Sequence, residues 1–215
     1  MLKTMSYFAQ PLVVIDFETT GMSPNMGDRV TEVAALRIVG GRVAARYVSL
    51  INCGVRVPPF ITELTGITQA MVNRAPAVAQ VMPELVEFIG DAALVAHNAS
   101  FDEKFLVAES VRQGLQNQHQ ALLCSVKLAR RLFRGLDSYS LGRVAKSLGI
   151  RFNSAAHRAE ADAEVTAQLM LHMGQHLHEE FGLSQIDAGL LLALNKVSAA
   201  KADVFLRKYA SLHTG

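Results

Sequence analysis

Long uncharged segments and cysteine are both scarce in this sequence of 215 residues. The longest runs without an acidic or basic residue, such as residues 165–178, contain histidine and glutamine and are shorter than the ~20 apolar residues of a membrane-spanning helix. Lys3 is not followed by the apolar core and cleavage site of an export signal. Cys53 and Cys124 are the only two cysteines, and both have apolar neighbours. We therefore expect a cytoplasmic protein without a membrane anchor, in which the cysteines are reduced core thiols; a disulfide between them is the alternative.

Charge is distributed unevenly along the chain. Half of the residues are hydrophobic and the formal net charge is only +2, which is typical of one globular domain of this length with a small appendage. Between residues 127 and 158, however, eight basic residues accompany a single acidic one, Asp137. This segment is either a solvated helical face, the commoner case for a charge run alone, or a contact for a phosphate backbone.

Two carboxylates follow an apolar run near the start of the chain. Residues 12–15 (LVVI) are typical of a strand that is covered on both faces. Asp16 and Glu18 follow at a spacing of two, so both side chains would point to one side of the sheet and Phe17 to the other. Two like charges held together at a buried strand end favour a bound divalent cation. The alternative is that the strand ends at Ile15 and the acids are solvated.

The remaining patterns alternate between strands and helices. Gly40-Gly41 predicts a hairpin between two strands, and Ser100 with Glu103 predicts a capping box at the start of a helix near Phe101. The other predicted elements are strands at 30–39, 43–53, 93–96 and 121–125, a helical turn at 61–68, and helices at 76–89, 126–133, 138–148, 159–173, 183–194 and 197–212.

Further acidic side chains are expected where these elements meet. Asp102 would lie in the first turn of a helix that follows a strand, and Asp162 would share an inward helical face with Val165 and Leu169. His157 precedes Asp162 by five residues, so it is placed on the loop before that helix. With Asp16 and Glu18, this makes four carboxylates and an imidazole at one mouth of a mixed sheet.

The chemistry of this set is that of metal-assisted phosphoryl transfer. Carboxylate oxygens without cysteine select Mg²⁺ or Mn²⁺. Two such ions, ~3.5 to 4 Å apart, clamp the attacking and leaving oxygens of an in-line displacement. Histidine titrates near neutral pH, so His157 is suited to take the proton from the attacking water.

Three ordered motifs carry a resemblance to a known family. The motifs are VIDFETTG at 14–21, AHNASFD at 96–102 and HRAEADA at 157–163. With them the sequence resembles the DEDD superfamily of 3′-to-5′ exonucleases, in its histidine-containing DEDDh branch, and within that branch it most resembles the proofreading epsilon subunits of bacterial DNA polymerase III. The resemblance covers residues 11–174 and implies an α/β fold of the RNase H-like type, with a mixed five-stranded sheet flanked by helices.

The resemblance also implies roles for individual residues. The metal ligands would be Asp16, Glu18, Asp102 and Asp162, and the general base would be His157. The nucleotide pocket would be formed by the Thr19 and Thr20 backbone together with His97, Asn98 and Phe101, the last as a stacking surface for a base.

These observations predict a Mg²⁺- or Mn²⁺-dependent 3′–5′ exonuclease that removes nucleoside 5′-monophosphates from single-stranded or frayed 3′ ends, with DNA favoured over RNA and a DNA polymerase as a partner. An RNA-trimming exonuclease and a non-catalytic nucleic-acid-binding module are the alternatives. Residues 1–174 would form the exonuclease domain and 175–215 a helical extension that packs on it or on a partner. His172, His176 and Glu180 share one helical line, for which a polar helix face is preferred to a metal site.

Overall fold

The computed structural model of the protein describes residues 6–151 and 157–213. Its centre is a five-stranded sheet in the order β3-β2-β1-β4-β5, in which β1 is antiparallel to β2 and parallel to β4. The strands are β1 Leu12–Thr19, β2 Val30–Val39, β3 Arg42–Leu50, β4 Ala93–Ala96 and β5 Leu122–Cys124. The predicted mixed five-stranded sheet is therefore confirmed.

Helices cover both faces of this sheet. They are α1 Pro59–Thr65, α2 Gln69–Arg74, α3 Val78–Ile89, α4 Ser100–Arg112, α5 Ser125–Leu132, α6 Leu141–Ser147, α7 Ala159–Phe181, α8 Ala188–Lys196 and α9 Ala202–His213. Most of the predicted helices are present, but α2 was not predicted and α7 extends eight residues beyond the predicted end at residue 173. Among the helices of the described residues, none combines the length and the apolar character needed to cross a bilayer.

Strand β1 divides the core into two layers. Leu12 and Val14 pack with α5, α7, α8 and α9, whereas Val13, Ile15 and Phe17 pack with α3 and α4. This alternation follows from the period of two along a strand. The burial of apolar surface in each layer stabilises the fold by roughly 25 cal/mol per Å² of area removed from water. Continuing the same alternation, Asp16 and Glu18 point toward the α7 layer.

Strand β1 does not end at Ile15, so the solvated-loop alternative for the two acids is wrong. Its pairing with β2 continues to Glu18, which lies opposite Glu32, and the antiparallel hairpin predicted at Gly40-Gly41 supports β2 from its other end. The parallel pairing with β4 stops earlier, at Val14 opposite Val95. The last part of β1 is therefore open on its β4 side.

The C-terminal helices contact the same layer as α7. Leu191, Leu194 and Leu206 are fully buried in the core that α5 and α7 also line. Asn195 Oδ1 accepts a hydrogen bond from the Cys124 amide at 2.9 Å, which ties α8 to the end of β5. Residue 174 lies inside α7, and the division of the chain at that residue stays a prediction.

Both cysteines are buried free thiols, as predicted. Cys53 lies in a small cluster under α1 and α2, and Cys124 lies at the end of β5. The predicted capping box is wrong. Ser100 is the first residue of α4, so Ala99 occupies the N-cap position, and it follows Asn98, which has a left-handed backbone with φ of 75°.

Candidate active site

Three of the predicted carboxylates meet above the end of β1. Oxygen atoms of Asp16, Glu18 and Asp162 all lie within 4.8 Å of one another. Asp16 and Glu18 come from the face of β1 that α7 covers, and Asp162 lies in the first turn of α7, with Val165 and Leu169 buried on the same side of the helix. Acidic side chains are favourable in a first helical turn because they face the positive end of the helix dipole.

Asp102 reaches the same strand from the other side. Its side chain is only 3% exposed, and its Oδ1 accepts a hydrogen bond from the Phe17 amide at 3.2 Å. This amide is available because β4 no longer pairs with β1 at that position. Asp102 therefore lies beside Asp16 and Glu18 but outside the tight group that they form with Asp162.

The electrostatics of the four carboxyls favour the binding of a cation. Burial, followed by repulsion from Asp102 and Asp162, raises the pKa of Asp16 well above its usual range. Burial and Asp162 raise the pKa of Glu18 to about 7, and burial raises that of Asp102 to about 8. Burial also raises the pKa of Asp162, although the amide of His157 opposes the shift. A divalent cation with oxygen ligands fits this set, because it would compensate the charge and needs no sulfur or nitrogen donor.

His157 lies at the mouth of the group. It precedes α7, as predicted, and its side chain is exposed to solvent. Its backbone N–H donates to Asp162 Oδ2 at 3.2 Å, and its φ is 64°, a left-handed conformation that few residues other than glycine adopt. The backbone at His157 is thus coupled to the carboxylate of Asp162.

A buried ion pair that the sequence analysis missed lies behind the carboxylates. Glu32 on β2 is 2% exposed and binds the guanidinium of Arg158, with Nε to Oε2 at 3.0 Å. The same Oε2 accepts the Ala159 amide at 3.0 Å, at the start of α7. An acidic residue inside the apolar run of β2 was the signal available in the sequence.

Next to Glu18, an apolar cavity of about 500 Å³ opens to solvent. Its lining includes Thr19, Thr20 and Phe101, whose contact with a nucleotide stays a prediction, and α1 contributes side chains that sequence reasoning missed. The residues from α1 and from the turn after β1 are Phe60, Ile61, Leu64, Gly21, Met22 and Asp28. A Cβ at Gly21 would collide with the Asp28 carboxylate, so a larger residue at this position would displace Asp28.

Of the described residues, those that line this cavity do not include His97 or Asn98. His97 instead joins three segments, since Nδ1 contacts Ser125 Oγ at 2.8 Å and Nε2 donates to the Tyr139 carbonyl at 3.0 Å. Burial lowers the pKa of His97 to about 4, so the ring is neutral near pH 7. Substrate binding by His97 and Asn98 stays a prediction.

The helical line of His172, His176 and Glu180 includes a histidine that packs among aromatic rings. His176 packs against the rings of Phe133 and Phe181, with centroids 5.2 and 6.2 Å away. Within residues 6–151 and 157–213, three metal-ligating side chains lie close enough together to hold an ion in one place, the carboxylate group of β1 and α7.

Known exonucleases are similar to this chain in sequence. The sequence profile of the RNase_T exonuclease family matches residues 13–170. The chain is 36% identical over 171 residues to DNA polymerase III subunit epsilon of Aquifex aeolicus, an alignment that covers 80% of this chain and 84% of that protein. It is 33% identical over 194 residues to the PolC-type DNA polymerase III of Caldanaerobacter subterraneus subsp. tengcongensis, covering 90% of this chain but 14% of the polymerase. It is 36% identical over 170 residues to the 3′-5′ exonuclease DinG of Bacillus subtilis, covering 79% of this chain and 18% of DinG.

Solved structures have the same fold. Exonuclease X in complex with 5′ overhanging duplex DNA is similar with a TM-score of 0.65 and 26% identity, over 86% of this chain and 99% of that one. The nuclease domain of 3′hExo, a DEDDh family member bound to rAMP, has a TM-score of 0.69 at 18% identity, over 85% of this chain and 97% of that one. The sheet and its helices thus form an RNase H-like exonuclease fold. The chain belongs to the RNase_T family of exonucleases.

Proposed function

We propose that the protein removes nucleoside 5′-monophosphates one at a time from the 3′ end of single-stranded or frayed DNA. The observation that carries this proposal is the carboxylate group of Asp16, Glu18 and Asp162 beside an open apolar cavity. The carboxylates suit the scissile phosphate through a bound cation, and the cavity suits the terminal nucleoside. We expect this cavity to hold the terminal nucleotide of a strand, which would therefore enter the site from its end.

Four side chains would hold two Mg²⁺ or Mn²⁺ ions in this proposal, namely those of Asp16, Glu18, Asp102 and Asp162. When bound, the ions would polarise the phosphoryl oxygens and lower the pKa of the attacking water. The protein's own residues orient the substrate. Phe101, with Phe60 from α1, offers an aromatic surface on which the terminal base stacks, an interaction worth roughly 1–3 kcal/mol per base. His157 takes the proton from the attacking water, since its side chain is exposed beside Asp162.

Replacing His157 by alanine is expected to lower turnover by about a hundredfold, the low end of what general base catalysis contributes. The Mn²⁺ dissociation constant should change much less, because the backbone amide that contacts Asp162 is retained. Steady-state kinetics and calorimetric titration measure the two effects. His172→Ala on α7 is the matched control and should remain active. A pH–rate profile of His157→Ala that coincides with that of the wild type would exclude His157 as the base.

The strand upstream of the scissile phosphate is proposed to follow a polar groove of about 670 Å³ at α6. The groove is lined by Asp137, Ser138, Ser140, Arg143, Lys146 and Ser147. It belongs to the basic segment that begins at residue 127, of which residues 152–156 lie outside the described residues. The Tyr139 carbonyl, beside the groove, bonds to His97 at the end of β4, so this path starts next to the sheet edge that carries the carboxylates.

The double variant Arg143→Ala/Lys146→Ala is expected to raise KM for a single-stranded oligonucleotide about tenfold. Each lost phosphate contact should also lower the slope of log affinity against log salt by about 0.7. Fluorescence anisotropy at several salt concentrations measures both quantities. The double variant Arg207→Ala/Lys208→Ala on the exposed face of α9 removes the same charge and serves as the control. Equal effects of the two pairs would argue against a path along α6.

A time course on 5′-labelled DNA and RNA oligonucleotides of matched sequence tests the function itself. Each is incubated with Mn²⁺, with Mg²⁺ or with EDTA, with an Asp16→Asn variant alongside. The expected result is a metal-dependent ladder that shortens from the 3′ end of DNA. A faster ladder on RNA would replace DNA by RNA as the substrate, and tight strand binding without a ladder would mean a binding module.

The likeness to a DNA polymerase III epsilon subunit over 84% of that protein supports a DNA polymerase as the partner. Size-exclusion chromatography of the chain mixed with a polymerase III catalytic subunit tests this association, and separate elution at micromolar concentrations would argue against it. The cytoplasmic location expected from the sequence stays a prediction.

A further inference from the structure

Glu32 lies next to the carboxylate group without belonging to it. In the β1–β2 register it is directly opposite Glu18, yet its two oxygens are occupied by Arg158 and by the Ala159 amide. The Glu32 side chain is 3% exposed and that of Arg158 is 38% exposed. A carboxylate this deeply buried is expected to be paired and hydrogen-bonded, and here both conditions are met.

This ion pair holds the start of α7. Arg158 occupies the N-cap position of the helix and directs its side chain to Glu32. The capping acceptor for the first helical amide therefore comes from the sheet, through Glu32 Oε2, instead of from the helix itself. One turn later, the Asp162 amide donates to the Arg158 carbonyl at 3.1 Å. The distance between β2 and the first turn of α7 is thus set by Glu32.

The position of Asp162 relative to β1 depends on the same contacts. Glu18 and Glu32 are fixed opposite each other by the β1–β2 pairing, and Asp162 lies four residues after the N-cap residue that Glu32 binds. A shift of α7 along the sheet would separate Asp162 from Asp16 and Glu18. Arg158 also neutralises Glu32, so this fifth acid does not compete for the cation that the other carboxylates would hold.

We propose that Glu32 and Arg158 are positioning residues that dock the first turn of α7 on β2 and thereby set the metal affinity of the Asp16, Glu18 and Asp162 group. The inference rests on the proposed metal-dependent nuclease function. It assigns no contact with substrate or metal to either residue. Loss of such outer-shell partners typically costs 10- to 100-fold in metal affinity or activity.

Titration of Mn²⁺ by calorimetry, without substrate, separates positioning from a simple charge effect. Glu32→Gln removes a negative charge near the cation and Arg158→Gln removes a positive one. If charge alone mattered, the first variant would weaken Mn²⁺ binding and the second would strengthen it. Positioning predicts that both variants weaken binding, each by about tenfold. Opposite signs, or no change in either variant, would overturn the inference.

Three further variants complete the experiment. The double variant Glu32→Gln/Arg158→Gln should lose no more affinity than either single variant, because both changes break one coupled pair. Arg158→Lys should recover part of the affinity. Glu109→Gln breaks another buried pair, that of Glu109 with Arg29, and should lower the melting temperature without changing Mn²⁺ affinity. If Glu109→Gln lost as much Mn²⁺ affinity as Glu32→Gln, the loss would be due to general destabilisation of the fold, and the inference would be overturned.

Turnover on DNA distinguishes this inference from the proposed function. Glu32→Gln should lower kcat about tenfold at limiting Mn²⁺ and recover toward wild type at saturating Mn²⁺. Glu164→Gln, on the exposed side of α7 where Arg46 binds it, should retain wild-type kinetics. An inactive wild-type protein would contradict the proposed function, whereas an active wild type with an equally active Glu32→Gln at limiting Mn²⁺ would contradict the inference alone. Should Glu32→Gln fail to fold, as its circular dichroism would show, Arg158→Gln carries the test, because it leaves the bond from Ala159 to Glu32 in place.

Discussion

Replacing Asp16 by asparagine is expected to lower nuclease turnover by roughly a thousandfold and to leave the fold intact. Asp16 is the carboxylate with the most acidic neighbours, since Asp102, Asp162, Glu18 and Glu32 all raise its pKa in addition to burial. Loss of a ligand that holds a catalytic metal removes several kcal/mol of transition-state stabilisation, and about 1.4 kcal/mol corresponds to tenfold in rate. Single-turnover kinetics on a single-stranded oligonucleotide at saturating Mn²⁺ measures the loss.

The same variant should not lose stability in EDTA. Asparagine keeps the shape of the side chain and removes repulsion among the acids, so its melting temperature at pH 8 should equal or exceed that of the wild type. Asp162→Asn should behave alike, and Asp91→Asn on an exposed turn is the control that keeps full activity. An Asp16→Asn enzyme with more than a tenth of wild-type turnover would refute the assignment of Asp16 to the reaction.

Metal affinity is expected to fall steeply with acidity. The pKa of Glu18 is raised to about 7 and that of Asp102 to about 8, mainly by burial, so a cation must displace protons from both groups below neutral pH. Between pH 8 and pH 6 this displacement costs about tenfold in affinity at Glu18 alone, and the raised pKa of Asp102 adds to the loss. Calorimetry in buffers of different ionisation enthalpy measures both the affinity and the protons released. Affinity that is independent of pH over this range would contradict the raised pKa values.

The metal-free protein should show the opposite trend in stability. In the unfolded chain, solvated aspartate and glutamate side chains titrate at about pH 4, whereas Glu18 and Asp102 in the folded protein hold their protons to about pH 7 and about pH 8. In that window the folded state binds more protons than the unfolded state, so the free energy of unfolding decreases as pH rises from about 5 to about 8. The melting temperature in EDTA should fall over this range and recover with Mn²⁺. The Asp16→Asn variant should show a shallower fall, and a rising melting temperature would contradict this account.

Local patterns were sufficient for the parts of the site that lie on regular elements. Strand alternation places Asp16 and Glu18 on one face, and helical spacing places Asp162 on the buried side of α7. The position of His157 on the preceding loop followed from the angle between residues five apart in a helix. These predictions concern neighbours along the chain, where backbone geometry alone decides the direction of a side chain.

Long-range contacts account for what sequence reasoning missed. Glu32 reads as a polar residue in a strand, and only the docking of α7 gives it Arg158 as a partner. Phe60 and Leu64 belong to a seven-residue helix that lines the same cavity as the turn after β1, so no local period relates them to Phe101. Ser100 had the spacing of a capping residue, but it is the first residue of α4, and Ala99 occupies the N-cap. At the site itself, Glu32, Phe60 and Leu64 were missed because their partners lie on segments that are distant in sequence.

The three carboxylates of the cluster come from opposite ends of the family region at 13–170, because Asp16 and Glu18 lie on β1 and Asp162 on α7. During synthesis, β1 leaves the ribosome long before α7, and the loop between them closes only when α7 packs on the sheet. A nascent chain therefore has no complete site until nearly the whole domain has emerged and folded. We therefore expect unfinished or misfolded copies of this chain to be inactive toward nucleic acid, because they lack the assembled carboxylate group.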